Sequence, residues 1–313
     1  MLGRTAAGLY WMFRYLERGE NSTRLLDAGH RISLTHSSAA PNEWASIINA
    51  QGSGAIFEQM HRGFSANNVI NFILRDKANP SSIASTISRA RENGKMIRTA
   101  LTREVWEAAN ESWLTSSNVL SRQVGLKGLP RVLNHLRVQS NAVSAALHGT
   151  MLRDDIYNFA LIGTFIERGE SIARLLDVKY YVLLPTASHV GSSLDNVQWE
   201  TILRSAAALK SFSWLYGGDA NPAEIANFLI FDRRMPRSIT FSFTELLSNL
   251  NSLAQQYGFK CSCHDMAREI NAKLVNANIN SVMNGGLHEF ILGYLEASNS
   301  LSRQIEKDYR FYD

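Results

Sequence analysis

The chain has 313 residues, of which 45% are hydrophobic and 19% are charged, and its formal net charge at pH 7 is +4. These values are typical of a globular protein with a large core, and they exclude a disordered or fibrous chain. Lysine and arginine are scattered among acidic residues instead of forming a run or stripe. We therefore expect no nucleic-acid partner.

The chain contains two cysteines, Cys261 and Cys263, which are too few for a disulfide framework and favour a reducing compartment. Met1 leads directly into an amphipathic pattern without a secretory segment, and no apolar run is long enough to predict a membrane span. We expect a soluble, cytoplasmic protein with no membrane partner and no bound cofactor. The Cys-Ser-Cys-His run that ends at His264 lacks a second pair of ligands and predicts a metal site only weakly.

Apolar residues recur at spacings of three and four over long windows, and strand-like alternation is almost absent. This pattern predicts an all-α fold. Proline and glycine residues divide it into six helices in each half of the chain. The predicted helices span about residues 3–32, 42–62, 66–76, 80–103, 105–123 and 129–149, then 153–182, 195–216, 221–231, 237–257, 263–282 and 287–309.

The chain also contains an internal repeat. Residues 15–27, YLERGENSTRLLD, align without gaps to residues 165–177, FIERGESIARLLD, and eight positions are identical. A second pair of strings, NFILRDKANPSSI at 71–83 and NFLIFDRRMPRSI at 227–239, shares six identical positions. We infer two diverged copies, residues 1–150 and 151–313. We expect them to form two tandem helical bundles of about six helices each, packed together with approximate two-fold symmetry.

The repeated segment reads as a helix that carries charges on its apolar side. At about 100° per residue, the side of the first helix that includes Leu9 and Met12 continues into charged residues, and the second copy changes in the same way after Ile162. Arg168 lies among apolar residues, so we expect it to be buried as well. The candidate site residues are Glu17, Arg18, Glu20, Arg24, Asp27, Glu167, Arg168, Glu170, Arg174 and Asp177.

These charges need partners, because removing one member of a buried ion pair typically costs ~3–5 kcal/mol. Glu17 and Glu167 have no arginine four residues later on their own helix, so they should find arginines on facing helices or on the other copy. Gly19 and Gly169, inside the same helices, indicate close helix approach at this level. Two pairs have the i,i+4 spacing and order that pair best on one helix, namely Glu20 with Arg24 and Glu170 with Arg174.

Three interpretations of the charged faces remain open. They are an internal ion-pair network that fixes the register of the bundles, a cleft that binds a charged group such as an amino-acid or peptide terminus or a phosphate, or a carboxylate metal site. The metal interpretation is weak, because the one Glu-x-x-His spacing, Glu58 to His61, is not repeated in the second copy, and arginines compete with a cation for the carboxylates. No nucleophile with an adjacent base and no glycine-rich phosphate loop stands out.

The opening MLGRTAAGLYWMFRYLERGENSTRLLD, the second ERGE segment, the strings NFILRDKANPSSI and ARENGKMIRT, and the tandem layout resemble the alpha-E family over essentially the whole chain. The resemblance implies an all-helical, duplicated fold marked by a Glu-Arg motif, here Glu17-Arg18 and Glu167-Arg168. It also implies a role in peptide synthesis or modification, beside a circularly permuted ATP-grasp carboxylate–amine ligase, a transglutaminase-like protein and an Ntn-type hydrolase. The family has no established catalytic residues that the resemblance could supply.

The leading hypothesis is an accessory or scaffold protein that binds the ATP-grasp ligase or its peptide substrate. The first alternative is an enzyme that forms amides or transfers groups, with Glu17, Glu20, Glu167 or Glu170 as a general base whose pKa burial raises. The second alternative is a metal-binding helical bundle. An unpaired glutamate in an open pocket would favour catalysis, whereas glutamates sealed against arginines would favour the scaffold.

Overall fold

A computed structural model of the chain describes residues 1–35, 40–182, 193–217 and 221–312. These residues form fifteen α-helices and one short 3-10 helix, with no strand, so the predicted all-α class is confirmed. Within this described part, none of the helices combines the length and apolar character required to cross a membrane.

The helices of the first half are α1 (Gly3–Thr35), α2 (Ala40–Ala50), α3 (Gly54–Met60), α4 (Ala66–Arg75), α5 (Ile83–Met96), α6 (Arg103–Val119) and α7 (Leu129–Thr150). The 3-10 helix, Arg98–Ala100, lies between α5 and α6. The helices of the second half are α8 (Asp155–Val182), α9 (Ser193–Ser205), α10 (Leu209–Tyr216), α11 (Pro222–Phe231), α12 (Ile239–Tyr257), α13 (Ser262–Asn276), α14 (Ile279–Gly285) and α15 (Leu287–Asp308).

Four helices predicted as continuous are each divided in the structure, and one of them, the segment 80–103, is divided into α5 and the 3-10 helix. The segment 42–62 is interrupted between α2 and α3, where Gly52 has a φ of 72°, and the segment 195–216 is interrupted between α9 and α10, where Ala207 has a φ of 53°. A residue with positive φ cannot continue a right-handed helix. The segment 263–282 is interrupted between α13 and α14. Apolar periodicity continues across these breaks, and for that reason the sequence pattern did not reveal them.

Serine caps begin α5 and α12 at equivalent places in the two copies. The hydroxyl of Ser82 accepts a hydrogen bond from the backbone N–H of Ser85, and that of Ser238 accepts one from Phe241. Each cap satisfies a backbone donor that the first helical turn leaves free. The prediction that α5 starts at Pro80 is therefore wrong by three residues, because Pro80 belongs to the preceding turn.

The two helices that contain the repeated segment, α1 and α8, lie against each other at the centre of the fold. Each also packs on its equivalent neighbours, α1 on α5 and α7, and α8 on α12 and α15. The contacts cross between copies as well, because α1 packs on α9 and α8 packs on α2. The structure thus places both charged segments at one helix–helix contact. The expected division into two tandem bundles packed together, 1–150 and 151–313, stays a prediction.

The backbones of α1 and α8 approach closely enough to exclude a side chain. A Cβ atom built on Gly163 would lie 2.2 Å from the carbonyl oxygen of Tyr10. The crossing is packed into a large apolar cluster that includes Leu9, Met12 and Ile162, all fully buried. Close contact at this crossing brings the charged residues of the next turns within reach of one another.

Candidate functional site

The two Glu-Arg motifs pair reciprocally between α1 and α8. Arg168 donates from Nε and Nη2 to the two carboxylate oxygens of Glu17 at 3.0 and 2.9 Å. Arg18 donates in the same way to the two oxygens of Glu167, both at 2.7 Å. The parallel geometry of two N–H groups on two oxygens is the strong form of the arginine–carboxylate contact. Reciprocal pairing of this kind, across 151 residues in one pair and 149 in the other, is what an approximate two-fold relation between α1 and α8 produces.

The second glutamate of each copy has an equivalent set of partners. Arg24 donates to Glu20 at 2.6 Å, and Arg174 donates to Glu170 at 2.9 Å, as the i,i+4 spacing predicts. A serine from the last helix of each copy completes the set: Ser140 of α7 donates to Glu20 at 2.9 Å, and Ser298 of α15 donates to Glu170 at 3.1 Å. Both glutamates are therefore held from their own helix and from a neighbouring one.

Arg14 is one of two further arginines that join this group without having been predicted. It donates to Glu167 at 2.9 Å and to both oxygens of Glu170 at 3.1 Å. Its third nitrogen donates to the hydroxyls of Tyr10 and Ser302, each at 2.8 Å. Arg14 precedes Arg18 by one helical turn on the same face of α1, and this spacing was the signal that could have identified it.

Arg237 is the second unpredicted arginine, and it lies just before α12. It donates to Glu17 at 3.0 Å, to the side-chain oxygen of Asn21 at 2.8 Å and to Glu20 at 2.5 Å. The first copy has Ser81 at the equivalent place of the repeated string, so comparison of the copies gave no reason to select it. The four glutamates and the six arginines that pair with them form what we call the glutamate–arginine network: Glu17, Glu20, Glu167, Glu170, Arg14, Arg18, Arg24, Arg168, Arg174 and Arg237.

We expected the charged residues of the repeated segment to be buried, and its glutamates are more deeply buried than its arginines. Glu17, Glu167 and Glu170 are 5%, 2% and 0% exposed. The Arg168 side chain, expected to be buried, is 18% exposed because its guanidinium reaches the edge of the cluster. The carboxylates thus lie inside and several of the arginines extend toward solvent, which is the usual behaviour of a long cationic side chain.

Two of the ten candidate residues lie outside this cluster. Asp27 pairs with Arg31 at 3.3 Å and lies 3.9 Å from Arg137, on an increasingly exposed part of α1. Asp177 pairs with His288. On the side of the helix that carries the network, side chains become more exposed over the two turns that follow it. The predicted row of charged residues is therefore longer than the network itself.

The arginines lower the pKa of both motif glutamates. Burial by itself raises the pKa of Glu17, but the charges of Arg168 and Arg237 outweigh it and bring the pKa to about 2. For Glu167, burial is likewise outweighed by Arg18 and Arg14, and the pKa is again about 2. The expectation that burial raises the pKa toward neutrality is therefore wrong for these two residues. A carboxylate with this pKa is a poor general base at neutral pH.

The two histidines considered for a metal site have other contacts. His264 Nδ1 accepts a hydrogen bond from the backbone N–H of Cys261 at the start of α13, while Nε2 lies 3.0 Å from the carbonyl oxygen of Leu250. The ring of His61 packs against those of Phe57 and Phe72. In the ranges that the structure describes, no group of three or more histidine, cysteine, aspartate or glutamate side chains is placed to hold a metal ion.

The predicted close approach at the two motif glycines is confirmed. A Cβ atom on Gly169 would lie 2.2 Å from the hydroxyl oxygen of Tyr294, and one on Gly19 would lie 3.0 Å from the hydroxyl oxygen of Thr86. Thr86 belongs to α5 and Tyr294 to α15, so the two glycines allow close packing of α1 on α5 and of α8 on α15.

The network has two halves, one around Glu167 and Glu170 and the other around Glu17 and Glu20. A cavity of about 230 Å³ lies beside the Glu167 half. It is enclosed by α1, α8 and the ends of α2 and α9, and it opens to solvent near the exposed Gly52. Arg18, Glu167 and Arg174 contribute the charged part of its lining. A smaller cavity, about 70 Å³, lies beside the other half, next to Glu17 and Arg168.

Comparison with known proteins places this arrangement in a family. The family model of Alpha-E, described as a predicted alpha-helical domain with a conserved ER motif, matches residues 1–310. Uncharacterised proteins of Mycobacterium bovis (strain ATCC BAA-935 / AF2122/97) and Mycobacterium tuberculosis (strain CDC 1551 / Oshkosh) are each 23% identical over 301 residues. The match covers 87% of this chain and 32% of each relative, so the chain spans about a third of the length of these curated relatives. No solved structure matches the chain. With its two Glu-Arg pairs joined between α1 and α8, the chain belongs to the Alpha-E family.

Proposed function

We propose that this chain is a non-catalytic accessory module of a peptide synthesis or modification system, and that it works with a circularly permuted ATP-grasp carboxylate–amine ligase. The observation that carries the proposal is the pairing of all four network glutamates. Each of them receives hydrogen bonds from at least two arginines. A glutamate held in this way is not available to abstract a proton, whereas it is well suited to fix the position of a helix.

The network supports a scaffold role through its connectivity. Its ion pairs join α1 to α8 and to the turn just before α12, at distances of 2.5–3.1 Å. Buried ionic groups are best attested as devices that set register and partner choice. A rigid pair of central helices would present the surrounding surfaces to a partner in one arrangement.

The length of the relatives also supports a module that acts beside other domains. The region that matches this chain is 32% of each mycobacterial relative, so most of each relative is additional chain. A domain that occurs within a longer chain in its relatives is a natural candidate to work with a separate protein here. Beyond the ligase, we propose a transglutaminase-like protein and an Ntn-type hydrolase as further partners, and a peptide as the shared substrate. The arginine-rich edge of the network is where a charged peptide or amino-acid group would bind.

The test is ATP consumption by a circularly permuted ATP-grasp ligase from the same organism, supplied with a pool of candidate peptides. The purified chain is added or omitted, and association of the two proteins is measured by size-exclusion chromatography with light scattering. The chain alone should show no turnover. The variant Glu17→Gln/Glu167→Gln should lose the stimulation, and the variant Glu107→Gln should keep it, because Glu107 pairs with Arg103 on an exposed part of α6.

We expect the wild-type chain to bind the ligase and to change its rate or its product. Thermal unfolding of each variant shows whether a lost effect on the ligase comes from an unfolded chain or from a folded chain that no longer binds the ligase. A ligase that neither binds the chain nor changes its turnover would contradict the partnership, and turnover of peptide by the chain alone would contradict the non-catalytic role.

A further inference from the structure

The two halves of the network differ at one pair of equivalent positions. The second copy has Arg237 in the string NFLIFDRRMPRSI, and the first copy has Ser81 at the matching place of NFILRDKANPSSI. Arg237 is 8% exposed and extends its guanidinium to Glu17, Glu20 and Asn21. In the other half, Ser81 is too short to reach the equivalent glutamates, and it lies instead in the lining of the 230 Å³ cavity. The cavity is therefore the space that an arginine side chain fills in the opposite half.

Because Ser81 is uncharged, another residue supplies the additional positive charge beside Glu167 and Glu170. Arg14, whose equivalent in the second copy is Thr164, approaches Glu167 and Glu170 from within α1. Arg14 is 5% exposed and makes three charge-assisted hydrogen bonds to these two glutamates. Arg14 thus provides these two glutamates with the additional arginine that Arg237 provides in the other half, while the space beside Ser81 remains as the cavity.

The balance of charged side chains beside the cavity indicates whether a ligand there would be an anion or a cation. Three arginines, Arg14, Arg18 and Arg174, surround two glutamates, Glu167 and Glu170, so this half carries one excess positive charge. A cation in the cavity would raise the excess in a partly buried place, at high electrostatic cost. An anion would cancel it.

The hydrogen-bonding groups of the cavity favour the same conclusion. In the described part of the chain, Arg174 donates to Glu170 alone, and its guanidinium is 32% exposed toward the cavity. Glu167 is the acid of the lining, and three arginine N–H groups already occupy its two oxygens. Donors are thus available to a ligand, while the carboxylate that could hold an ammonium group is occupied.

The volume limits the ligand to a small group. A cavity of about 150 Å³ admits benzene, so one of about 230 Å³ accommodates roughly nine non-hydrogen atoms. This is the size of one short amino-acid residue with its terminal carboxylate. The opening beside Gln51 and Gly52 would let a longer chain continue into solvent.

We propose that this cavity binds the carboxylate end of a small ligand, the C-terminal residue of a peptide or an N-acylated amino acid, with Arg174 and Arg18 as its donors. The proposal rests on the proposed function for the source of the ligand, and it names the end of the peptide that the module holds.

The experiment is isothermal titration calorimetry of the full chain at low ionic strength with three probes. N-acetyl-L-alanine carries the carboxylate, N-acetyl-L-alaninamide has the same shape without the charge, and inorganic phosphate tests for an anion site of another chemistry. We expect one molecule of N-acetyl-L-alanine to bind saturably, and we expect the amide and phosphate to bind at least tenfold more weakly.

Three variants locate the binding. Arg174→Gln removes the half-exposed donor and should weaken binding at least tenfold. Ser171→Leu fills the cavity from α8, leaves every arginine in place, and should abolish binding even where Arg174→Gln proves poorly folded. Arg204→Gln is the matched control, because Arg204 forms the same i,i+4 pair with Glu200 on α9 and does not line the cavity. Circular dichroism and thermal unfolding of each variant verify the fold.

Four results would overturn the proposal: no saturable binding of N-acetyl-L-alanine, equal binding of the amide, tighter binding of phosphate, or undiminished binding in Ser171→Leu. The ligase experiment separates this failure from failure of the proposed function. Association with the ligase but no carboxylate binding contradicts only the cavity proposal, and carboxylate binding without association contradicts only the partnership.

Discussion

Arg168 donates hydrogen bonds from Nε and Nη2 to both carboxylate oxygens of Glu17, at 3.0 and 2.9 Å, and so joins the motif of one copy to the motif of the other. The Glu17 carboxylate also accepts from Arg237, so three charged side chains from three helical segments meet at one point. Such a contact is costly to dismantle one residue at a time, because each remaining charge is left without its partner.

We expect Glu17→Gln to lower the free energy of unfolding by about 3–5 kcal/mol, since it leaves Arg168 without its counter-charge and removes one of the two glutamates that pair with the buried Arg237. Urea unfolding followed by circular dichroism at pH 7 measures the change. The control Glu107→Gln removes an exposed pair and should cost less than about 1 kcal/mol. A cycle with Arg168→Gln should give a coupling energy well above experimental error, and additive losses would contradict a direct interaction.

The low pKa of Glu17 and Glu167 predicts a loss of stability in acid. Because the pKa is about 2 in the folded protein and ordinarily 4.5, the carboxylates contribute stability that is fully present above pH 4.5 and is lost as the pH falls toward 2. For Glu17 the contribution is about 3 kcal/mol. Urea midpoints of the wild type and of Glu17→Gln, measured at several pH values between 7 and 3, should converge toward the acid end. Parallel curves would show that Glu17 has no depressed pKa.

Gly169→Ala should destabilise the protein even though alanine is the better helix former. The new Cβ atom would lie 2.2 Å from the Tyr294 hydroxyl oxygen, and overpacking of this kind costs about 1–3 kcal/mol. Adding Tyr294→Phe removes the clashing oxygen and should recover part of the loss in thermal unfolding. The control is Gly293→Ala in α15, where nothing lies within 4 Å, and it should stabilise by up to about 1 kcal/mol. Equal effects of the two glycine changes would contradict close packing at Gly169.

Arg237→Ala should lower the free energy of unfolding by about 3–5 kcal/mol, because Glu17 and Glu20 each lose a buried partner. The neighbouring Arg234 is the comparison: its pair with Asp232 is 73% exposed on the arginine side, and Arg234→Ala should cost less than about 1 kcal/mol. Chemical unfolding midpoints of the two variants test the difference directly. Similar midpoints would mean that Arg237 contributes no more than a surface charge.

The helical class and the pairs within one helix could be predicted from the sequence because both depend on short spacings. Glu20 with Arg24, and Glu170 with Arg174, are four residues apart, and a helix brings such residues together whatever surrounds it. The repeated string likewise predicted that Glu17 and Glu167 would need partners from facing helices or from the other copy. It did not predict the breaks at Gly52 and Ala207, because the apolar period runs through them.

By itself, then, the sequence determined that the chain is all-α, that a charged segment occurs twice, and which glutamates pair within their own helix. The tertiary structure alone decided that Arg14 and Arg237 complete the network and that the cavity lies beside Ser81. The physical reason is distance along the chain. Arg237 meets Glu17 across 220 residues, and such a contact exists only once α1, α8 and α12 have packed. Packing likewise decided the pKa of Glu17 and Glu167, since burial and the arginine charges act in opposite directions and only their geometry sets the balance.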